Sequence, residues 1–304
     1  MTERFIAAVV QQAIPGNDKR ANLAATLQYV REAAAGGARL VVLQELHATR
    51  YFCQTEDTAC FDLAEPLDGE TFMACAAVAA ELDIVLVMSG FEKRAPGLYH
   101  NTAQVIDGNR GRVGIFRKMH IPDDPAFYEK FYFTPGDATA AALNGFQPIQ
   151  TRAGKLGVLV CWDQWYPEAA RLMALAGADM LIYPTAIGWN PPDDAAEKNR
   201  QRDAWVTIQR AHAVANGLPV LVANRCGHEP SPQAGDPGIE FWGHSFIAGP
   251  QGEILAQADA EGQGPLCATV DLQRSEDVRR IWPYFRDRRV DAYANLTRRW
   301  LDGN

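Results

Sequence analysis

Three reactive side chains each follow an apolar run with the length and composition of a buried strand. Glu45 comes after "RLVVLQ", Lys118 after "GRVGIFR" and Cys161 after "LGVLV". A cysteine can attack a carbonyl carbon when a nearby base takes its proton, and a lysine can stabilise the oxyanion that forms. If these strand ends converge, the three side chains supply a nucleophile, a general base and a cation. The pattern therefore predicts covalent catalysis through a tetrahedral intermediate.

Each of these side chains, taken alone, also fits an ordinary structural role. A cysteine at a strand end is more often a small core residue, a glutamate there can face water, and a lysine usually lies on the surface. Glu129 is a fourth candidate, because it lies in the proline-stiffened aromatic loop "HIPDDPAFYEKFYF", and structured loops often carry functional groups. The catalytic hypothesis therefore depends on the occurrence of all four residues together in one sequence.

The elements that must position these side chains alternate between strand and helix. Short Val-, Ile- and Leu-rich runs such as "FIAAVV", "IVLVMSGF" and "DMLIYPT" have the composition of strands buried on both faces. Three stretches have helical patterns: "NDKRANLAATLQYVREAAAGGA", "YPEAARLMALAGA" and "AAEKNRQRDAWVTIQRAHAVANGL". Turns at "GNRG" and "GPQG" predict two hairpins, the second joining "EFWGHSFIAG" to "GEILAQAD". The chain is therefore predicted to be α/β, with mixed sheets and helices outside.

The order and context of the three reactive residues resemble the nitrilase superfamily of carbon–nitrogen hydrolases. Glu45 lies in "QEL", Lys118 in "FRKMHIP" and Cys161 in "VCWDQWYPEAAR", and the likeness runs from "AAVVQQ" to "FRDRRVDAY". The resemblance implies a four-layer α-β-β-α sandwich with a Glu-Lys-Cys triad at its centre. The second glutamate of the family falls on Glu129. The family resemblance also implies that the protein is a homo-oligomer built from dimers and that it uses no cofactor.

Further segments are similar to the subfamily that hydrolyses N-carbamoylputrescine, among them "RYFCQ", "YPTAIGW" and "GHSFIAGPQGEI". The resemblance implies that Glu45 deprotonates Cys161, and that the thiolate attacks the ureido carbonyl. Lys118 and the backbone N–H of Trp162 then hold the oxyanion. A carbamoyl thioester follows, and the products are ammonia, carbon dioxide and putrescine. The expected partner is thus a small cationic substrate.

The far end of such a substrate is an ammonium group, which needs a carboxylate or several carbonyl groups when it is buried. Aromatic side chains can wall the aliphatic chain and offer cation–π contacts. The wall candidates are Tyr51, Trp165 and Trp189, and the candidate acids are Asp123, Asp124 and Glu229. His120, Asp163 and Glu168 are predicted to support the site by hydrogen bonds, with Glu168 pairing Arg171.

Two other functions fit parts of the sequence. A related enzyme could act on N-carbamoyl-β-alanine or an N-carbamoyl amino acid, whose carboxylate would need an arginine, and Arg50 and Arg225 keep this open. The chain could also be a binding protein that has lost catalysis. The histidines show no metal-ligand spacing, and the nucleotide-binding and zinc-protease motifs are absent from the sequence.

The net charge, the apolar runs and the cysteine spacing of the whole chain restrict its expected partners and cellular location. Its net charge of −8 argues against nucleic acid, which usually needs a basic face. The start, "MTERFIAAVVQQ", does not resemble a signal peptide, and no apolar run approaches the roughly 20 residues of a membrane helix. The six cysteines lack CxxC pairs, so we expect a cytoplasmic protein. We predict one domain over residues 1–304, with a tail from about 272 to 304 used in packing or subunit contact.

Overall fold

The computed structural model describes residues 4–138, 145–189 and 192–301, which form fifteen strands. These are β1 (Arg4–Gln11), β2 (Ala38–Val42), β3 (Val85–Ala95), β4 (Leu98–Asp107), β5 (Arg112–Arg117), β6 (Ile149–Thr151), β7 (Gly154–Val158), β8 (Met180–Pro184), β9 (Gly188–Trp189), β10 (Val220–Ala223), β11 (Cys226–Glu229), β12 (Ile239–Trp242), β13 (Phe246–Ala248), β14 (Ile254–Gln257) and β15 (Gly264–Asp271).

Six α-helices lie within the described residues, and some of them have capping groups at their ends. They are α1 (Lys19–Ala35), α2 (Glu70–Leu82), α3 (Glu129–Tyr132), α4 (Pro167–Leu175), α5 (Ala195–Asn216) and α6 (Leu272–Ile281). The Asp18 side chain accepts hydrogen bonds from the first-turn amides of α1, and Gly217 ends α5 at a φ of 57°. The predicted helices α1, α4 and α5 are confirmed, whereas sequence reasoning missed α2.

The strands form two six-stranded sheets and a small three-stranded one. Sheet 1 has the order β15-β1-β2-β3-β4-β5, and sheet 2 has the order β14-β13-β10-β8-β7-β6. In each, three central strands are parallel and the outer pairs are antiparallel. The predicted hairpin at "GNRG" is confirmed, since β4 pairs antiparallel with β5.

The two large sheets pack face to face between two helical layers. Along β1, Ala7 and Val9 belong to the core that also contains Val158 and Leu181 of sheet 2, whereas Val10 packs with the residues of α1 and α2. This alternation follows from the two-residue period of a strand. The helices α4 and α5 supply Met173 and Trp205, among others, to the core on the side of sheet 2. The predicted α-β-β-α sandwich is confirmed.

One predicted strand was wrong. The stretch "EFWGHSFIAG" forms two strands in different sheets, β12 in the small sheet and β13 in sheet 2. Gly243 and His244 lie between them with φ values of 60° and 52°. Because two successive left-handed residues cannot continue a strand, the chain changes direction there and enters the other sheet.

The segment after α6 runs along the surface. Trp300 in this segment is 79% exposed and Leu296 is also exposed, as is Ile281 at the end of α6. Among the residues described, no helix is both long enough and apolar enough to cross a membrane.

Candidate active site

Glu45 lies where the two sheets meet. The hydrogen bonds of sheet 1 continue past β2 to Leu43, whose amide donates to the carbonyl of Val87 at 2.9 Å. Two residues later the amide of Glu45 donates to the carbonyl of Thr185, directly after β8 of sheet 2, at 3.3 Å. The backbone of Glu45 is therefore held by the opposite sheet.

Cys161 occupies a strained turn between β7 and α4. It opens a 3₁₀ helix, Cys161–Trp165, with a φ of 45°, a conformation that costs free energy for a residue with a Cβ atom. Its Sγ lies 3.9 Å from the carbonyl oxygen of Ala186, the residue after Thr185. Two consecutive carbonyls after β8 thus contact Glu45 and Cys161, which relates the acid to the thiol across the sheets.

Asp163 ties this turn to the loop after β5. One of its carboxylate oxygens accepts from the amide of Val160 at 3.0 Å, and the other accepts from the amide of His120 at 2.9 Å. The latter oxygen also lies 2.6 Å from Nδ1 of His120, whose ring stacks on Tyr166 with centroids 3.7 Å apart. Since Lys118 lies two residues before His120, Asp163 links the positions of Lys118 and Cys161.

Lys118 is the centre of a buried charge cluster. It directly follows β5, and its Nζ donates to Glu45 Oε1 at 2.8 Å and to Glu129 Oε2 at 2.6 Å. Asn101 Nδ2 donates to the same Glu45 oxygen at 2.6 Å, and Tyr51 OH donates to Glu129 Oε1 at 2.7 Å. Both carboxylates and the ammonium group are buried. With two acids and one base, the ionised cluster carries one net negative charge.

Two hydrogen-bonding capacities in this cluster are unused. An ammonium group has three N–H donors, and Lys118 Nζ donates to two carboxylates. Glu45 Oε2 is buried and has no hydrogen-bond partner within the described part of the chain. The site thus has one donor and one acceptor in reserve.

Burial and mutual charge set the protonation of the site. Burial raises the pKa of Glu129 to about 7, although Lys118 opposes the shift. Burial alone would lower the pKa of Lys118, but the charges of Glu129 and Glu45 hold it well above its usual range. Burial raises the pKa of the Cys161 thiol well above its usual value, and the charge of Glu45 adds to the rise. The resting state therefore has a neutral thiol and a charged lysine.

A cavity of about 430 Å³ opens beside Cys161. Its wall is mainly aromatic and apolar, with carboxylates among the rings. The wall residues that matter for chemistry are Asp124, Phe127, Glu129, Cys161, Trp162, Trp165, Asp193 and Trp242. No Lys, Arg or His side chain lines the cavity among the residues that the structure describes.

The predicted pocket residues lie in different places. Trp165 and Asp124 line the cavity, whereas Tyr51, Trp189 and Asp123 are not among the described residues of its wall. The Tyr51 hydroxyl contacts Glu129, as above, and Trp189 donates from Nε1 to the carbonyl of Lys198 at 2.9 Å. Asp123 is exposed. Aromatic content near the nucleophile could not distinguish the wall from the layer behind it.

Arg225 and Glu229 are used inside the protein. Arg225 Nη1 donates to Glu229 Oε1 at 2.5 Å and to the carbonyl of Thr49 at 3.0 Å, while Nη2 donates to the carbonyls of Glu45 and Leu46 at 3.1 and 3.0 Å. Both side chains are buried, and Glu229 Oε2 accepts from the amide of Tyr51 at 2.7 Å. Glu229 is thus wrong as an acid for the substrate amine, and Arg225 is wrong as a carboxylate ligand.

Two further predicted residues lie away from the cavity. Arg50 donates from Nη2 to the carbonyl of Pro15. Glu168 is exposed in the first turn of α4, and Arg171 donates to the carbonyl of Ala215 at 2.9 Å, so the predicted Glu168–Arg171 pair is wrong. Sequence reasoning also missed Asn101, although a buried strand interrupted by Asn was a usable signal.

Among the residues that the structure describes, no group of three or more His, Cys, Asp or Glu side chains is arranged to hold a metal ion.

Comparisons with known proteins place this geometry in a family. The model of the carbon-nitrogen hydrolase family matches residues 6–280. The chain is 43% identical over 290 residues to N-carbamoylputrescine amidase of Arabidopsis thaliana, covering 95% of this chain and 93% of that relative. It is 38% identical over 296 residues to citrullinase of Francisella tularensis, covering 96% and 98%.

A solved structure agrees with the sequence relatives. The crystal structure of a carbon-nitrogen hydrolase from Helicobacter pylori G27 matches with a TM-score of 0.93 and 50% sequence identity, covering 98% of this chain and 100% of that one. The α-β-β-α sandwich with clustered Glu, Lys and Cys side chains is the architecture expected of a nitrilase-type hydrolase. The chain belongs to the carbon-nitrogen hydrolase family, and the resemblance seen in the sequence is confirmed.

Proposed function

We propose that this protein hydrolyses N-carbamoylputrescine to putrescine, carbon dioxide and ammonia. The observation that carries the proposal is the charge of the cavity beside Cys161. Asp124 and Asp193 line it in addition to Glu129, and within the described wall no cationic side chain faces them. Such a cavity favours a substrate with a positive end. The likeness to the plant amidase supports the same substrate.

The first chemical step is formation of the nucleophile. The Cys161 thiol is neutral at rest because burial raises its pKa. Glu45 Oε2, which has no hydrogen-bond partner among the described residues, takes the proton as the sulfur attacks the ureido carbon. The thiolate therefore forms with the substrate in place.

The oxyanion of the tetrahedral intermediate needs hydrogen-bond donors. The third N–H of Lys118 is one, because Glu45 and Glu129 accept the other two. The backbone N–H of Trp162 is the second, since the leading amides of a 3₁₀ helix lack partners within the helix. A donor of this kind is worth about 3 kcal/mol of transition-state stabilisation.

Collapse of the intermediate breaks the bond to the terminal nitrogen. Glu45 returns the proton to that nitrogen, ammonia leaves, and Cys161 retains a carbamoyl thioester. Water then attacks the thioester as Glu45 takes its proton, and the thiol is regenerated. The released carbamic acid decays to carbon dioxide and putrescine. Glu129 accepts hydrogen bonds from Lys118 and Tyr51, so its role is to position the lysine.

The alternative substrates carry a carboxylate, for which the described wall of the cavity offers no positive side chain. Citrulline and N-carbamoyl-β-alanine both have that group, and Arg225 is already bonded to Glu229 and to backbone carbonyls. The clustering of Glu45, Lys118 and Cys161 beside a cavity favours catalysis over an inactive binding protein, since these side chains supply a base, a cation and a nucleophile.

The test is ammonia release from N-carbamoylputrescine, citrulline and N-carbamoyl-β-alanine by the purified protein. We expect turnover of the cationic substrate at a kcat/KM well above the other two, abolished in Cys161→Ala. Greater turnover of a carboxylate-bearing substrate would reject the proposed substrate and keep the mechanism. Full activity of Cys161→Ala would reject the nucleophile.

We also propose that the protein works in the cytoplasm as a homo-oligomer. All six cysteines are unpaired, as expected in a reducing compartment. The single domain is proposed to associate through the tail from about 272 onward, because Ile281 and Trp300 expose apolar surface there. Sedimentation velocity of the full chain and of Trp300→Ser tests this: an unchanged association state in the variant would exclude Trp300 from the contact.

A further inference from the structure

The beginning of α5 supplies a polar side chain to the wall of the cavity. Asp193 directly precedes Asp194, the N-cap residue of α5, and lines the cavity together with Gln201 and Ala204 of that helix. Gln201 Nε2 donates to Asp193 Oδ2 at 3.1 Å and to Glu197 Oε1 at 3.1 Å. This bond orients the Asp193 carboxylate, which is half-buried.

The negative charge of Asp193 is not balanced by the protein around it. The neighbouring cations on α5 have other partners: Lys198 Nζ is 2.8 Å from Glu240 Oε2, and Arg200 Nη2 is 2.6 Å from Glu197 Oε2. Across the described ranges, Asp193 forms no ion pair with a basic side chain. The cavity therefore holds a fixed anion that lacks a cation.

Asp124 is the other aspartate on this wall, and its setting is weaker. It is exposed, and its carbonyl accepts a hydrogen bond from Phe127 in a turn. Water and salt screen an exposed charge, whereas a half-buried charge beside aromatic rings interacts more strongly with a ligand. Trp165 and Trp242 line the same cavity. The difference in burial favours Asp193 over Asp124 as the ligand of a cation.

We propose that Asp193 binds the primary ammonium group of the substrate and thereby selects cationic ureas over neutral and anionic ones. The inference rests on the proposed function and names the group that recognises the end of the substrate remote from the reacting carbon. The residue contacts the substrate but not the reacting atoms. Its loss therefore affects binding in the ground state and the transition state alike, and raises KM more than it lowers kcat.

The experiment compares N-carbamoylputrescine with N-butylurea, which has the same carbon chain without the ammonium group. Wild type, Asp193→Asn, Asp193→Glu and the matched control Asp124→Asn are assayed for ammonia release on both. For Asp193→Asn we expect kcat/KM for N-carbamoylputrescine to fall about 10- to 100-fold, mainly through KM, because a hydrogen bond to a charged group is lost. Activity on N-butylurea should stay within about twofold, and Asp193→Glu should recover part of the loss.

The outcomes separate this inference from the function on which it rests. Equal losses on both ureas, or no loss on the cationic one, would overturn the role of Asp193 while wild-type turnover upholds the proposed function. A larger effect in Asp124→Asn than in Asp193→Asn would move the subsite to Asp124 and overturn the inference. Wild-type protein that hydrolyses N-butylurea but not N-carbamoylputrescine would reject the proposed function itself.

Discussion

Two buried charge clusters contact the same chain segment, residues 45–51, and differ in their balance of charge. The reactive cluster consists of Glu45, Lys118 and Glu129, and the anchor cluster consists of Arg225 and Glu229. The anchor cluster has balanced charge, and its guanidinium donates to a carboxylate and three backbone carbonyls, although Arg225 Nε has no partner among the described residues. The reactive cluster has one excess negative charge and leaves Glu45 Oε2 without a partner among the described residues.

This difference indicates that the anchor cluster mainly stabilises the fold, whereas the reactive cluster mainly supports the reaction. Removing charges from water is costly, and a buried pair compensates only when its hydrogen bonds are nearly complete. The anchor cluster meets this condition through the backbone that carries Glu45. The reactive cluster does not, and its spare donor and acceptor are the groups that a thiol and an oxyanion require. We therefore expect substitutions in the two clusters to affect different quantities.

The largest expected effect is on activity, in Glu45→Gln. Loss of the general base should lower kcat/KM by about 10²- to 10⁴-fold. The free energy of unfolding should be equal to or higher than that of wild type, because the cluster loses its excess buried charge. Ammonia release and urea denaturation at pH 7 measure the two quantities. A variant that is both inactive and markedly destabilised would contradict the separation.

Arg225→Met should have the largest effect on stability. It leaves Glu229 buried without its cation, so the free energy of unfolding should fall by about 3–5 kcal/mol. The double variant Arg225→Met/Glu229→Gln serves as the control, and it should regain part of the loss because no lone charge remains buried. A single variant with wild-type stability, measured by urea denaturation, would show that the anchor cluster does not stabilise the fold.

Glu129→Gln should alter the pH dependence. The pKa of Glu129 is raised to about 7 by burial, so activity should fall as the pH falls through this value, when the acceptor of Lys118 is protonated. In Glu129→Gln this acidic limb of the pH–activity profile should disappear or move to lower pH. The contribution of Glu129 to the free energy of unfolding changes with pH in the opposite direction to activity. It is present at low pH and lost as the pH rises through about 7. If the acidic limb of the pH–activity profile is unchanged in Glu129→Gln, the limb reports the titration of another group.

The smallest effect is expected from Tyr51→Phe, which keeps the ring and removes one hydrogen bond to Glu129. That bond stabilises the carboxylate, so its loss should move the acidic limb upward by about one pH unit. Activity at pH 9 should stay within about threefold of wild type. A loss of activity at all pH values would instead indicate that the hydroxyl contacts the substrate.

Much of the reactive cluster could be predicted from the sequence, because Glu45 and Lys118 follow apolar strands and Glu129 lies in a proline-stiffened aromatic loop. The anchor cluster could not. Arg225 and Glu229 lie in "ANRCGHE", and nothing local shows that the guanidinium reaches residues 45–49 at the other end of the chain. Sequence reasoning alone therefore favours Arg225 and Glu229 as substrate ligands, although in the structure they bind each other and the backbone.

The fold was predictable to a similar degree. Helices with clear caps, such as α1 and α5, followed from local signals. The missed helix α2 lacks a side-chain cap and is rich in alanine, although its buried residues Phe72, Cys75 and Val78 recur at helical spacing. The division of "EFWGHSFIAG" depended on which sheet each half joins, and that is decided by tertiary packing.

The reactive side chains come from two opposite sheets, and this has a consequence for folding. Glu45 and Lys118 follow strands of sheet 1, whereas Cys161 follows a strand of sheet 2. Sheet 1 also pairs Arg4 of β1 with Asp271 of β15, a contact between distant parts of the chain. Such long-range pairing slows folding. During refolding, turnover should therefore be among the last native properties to return, after secondary structure is complete, because it requires the two sheets to have docked.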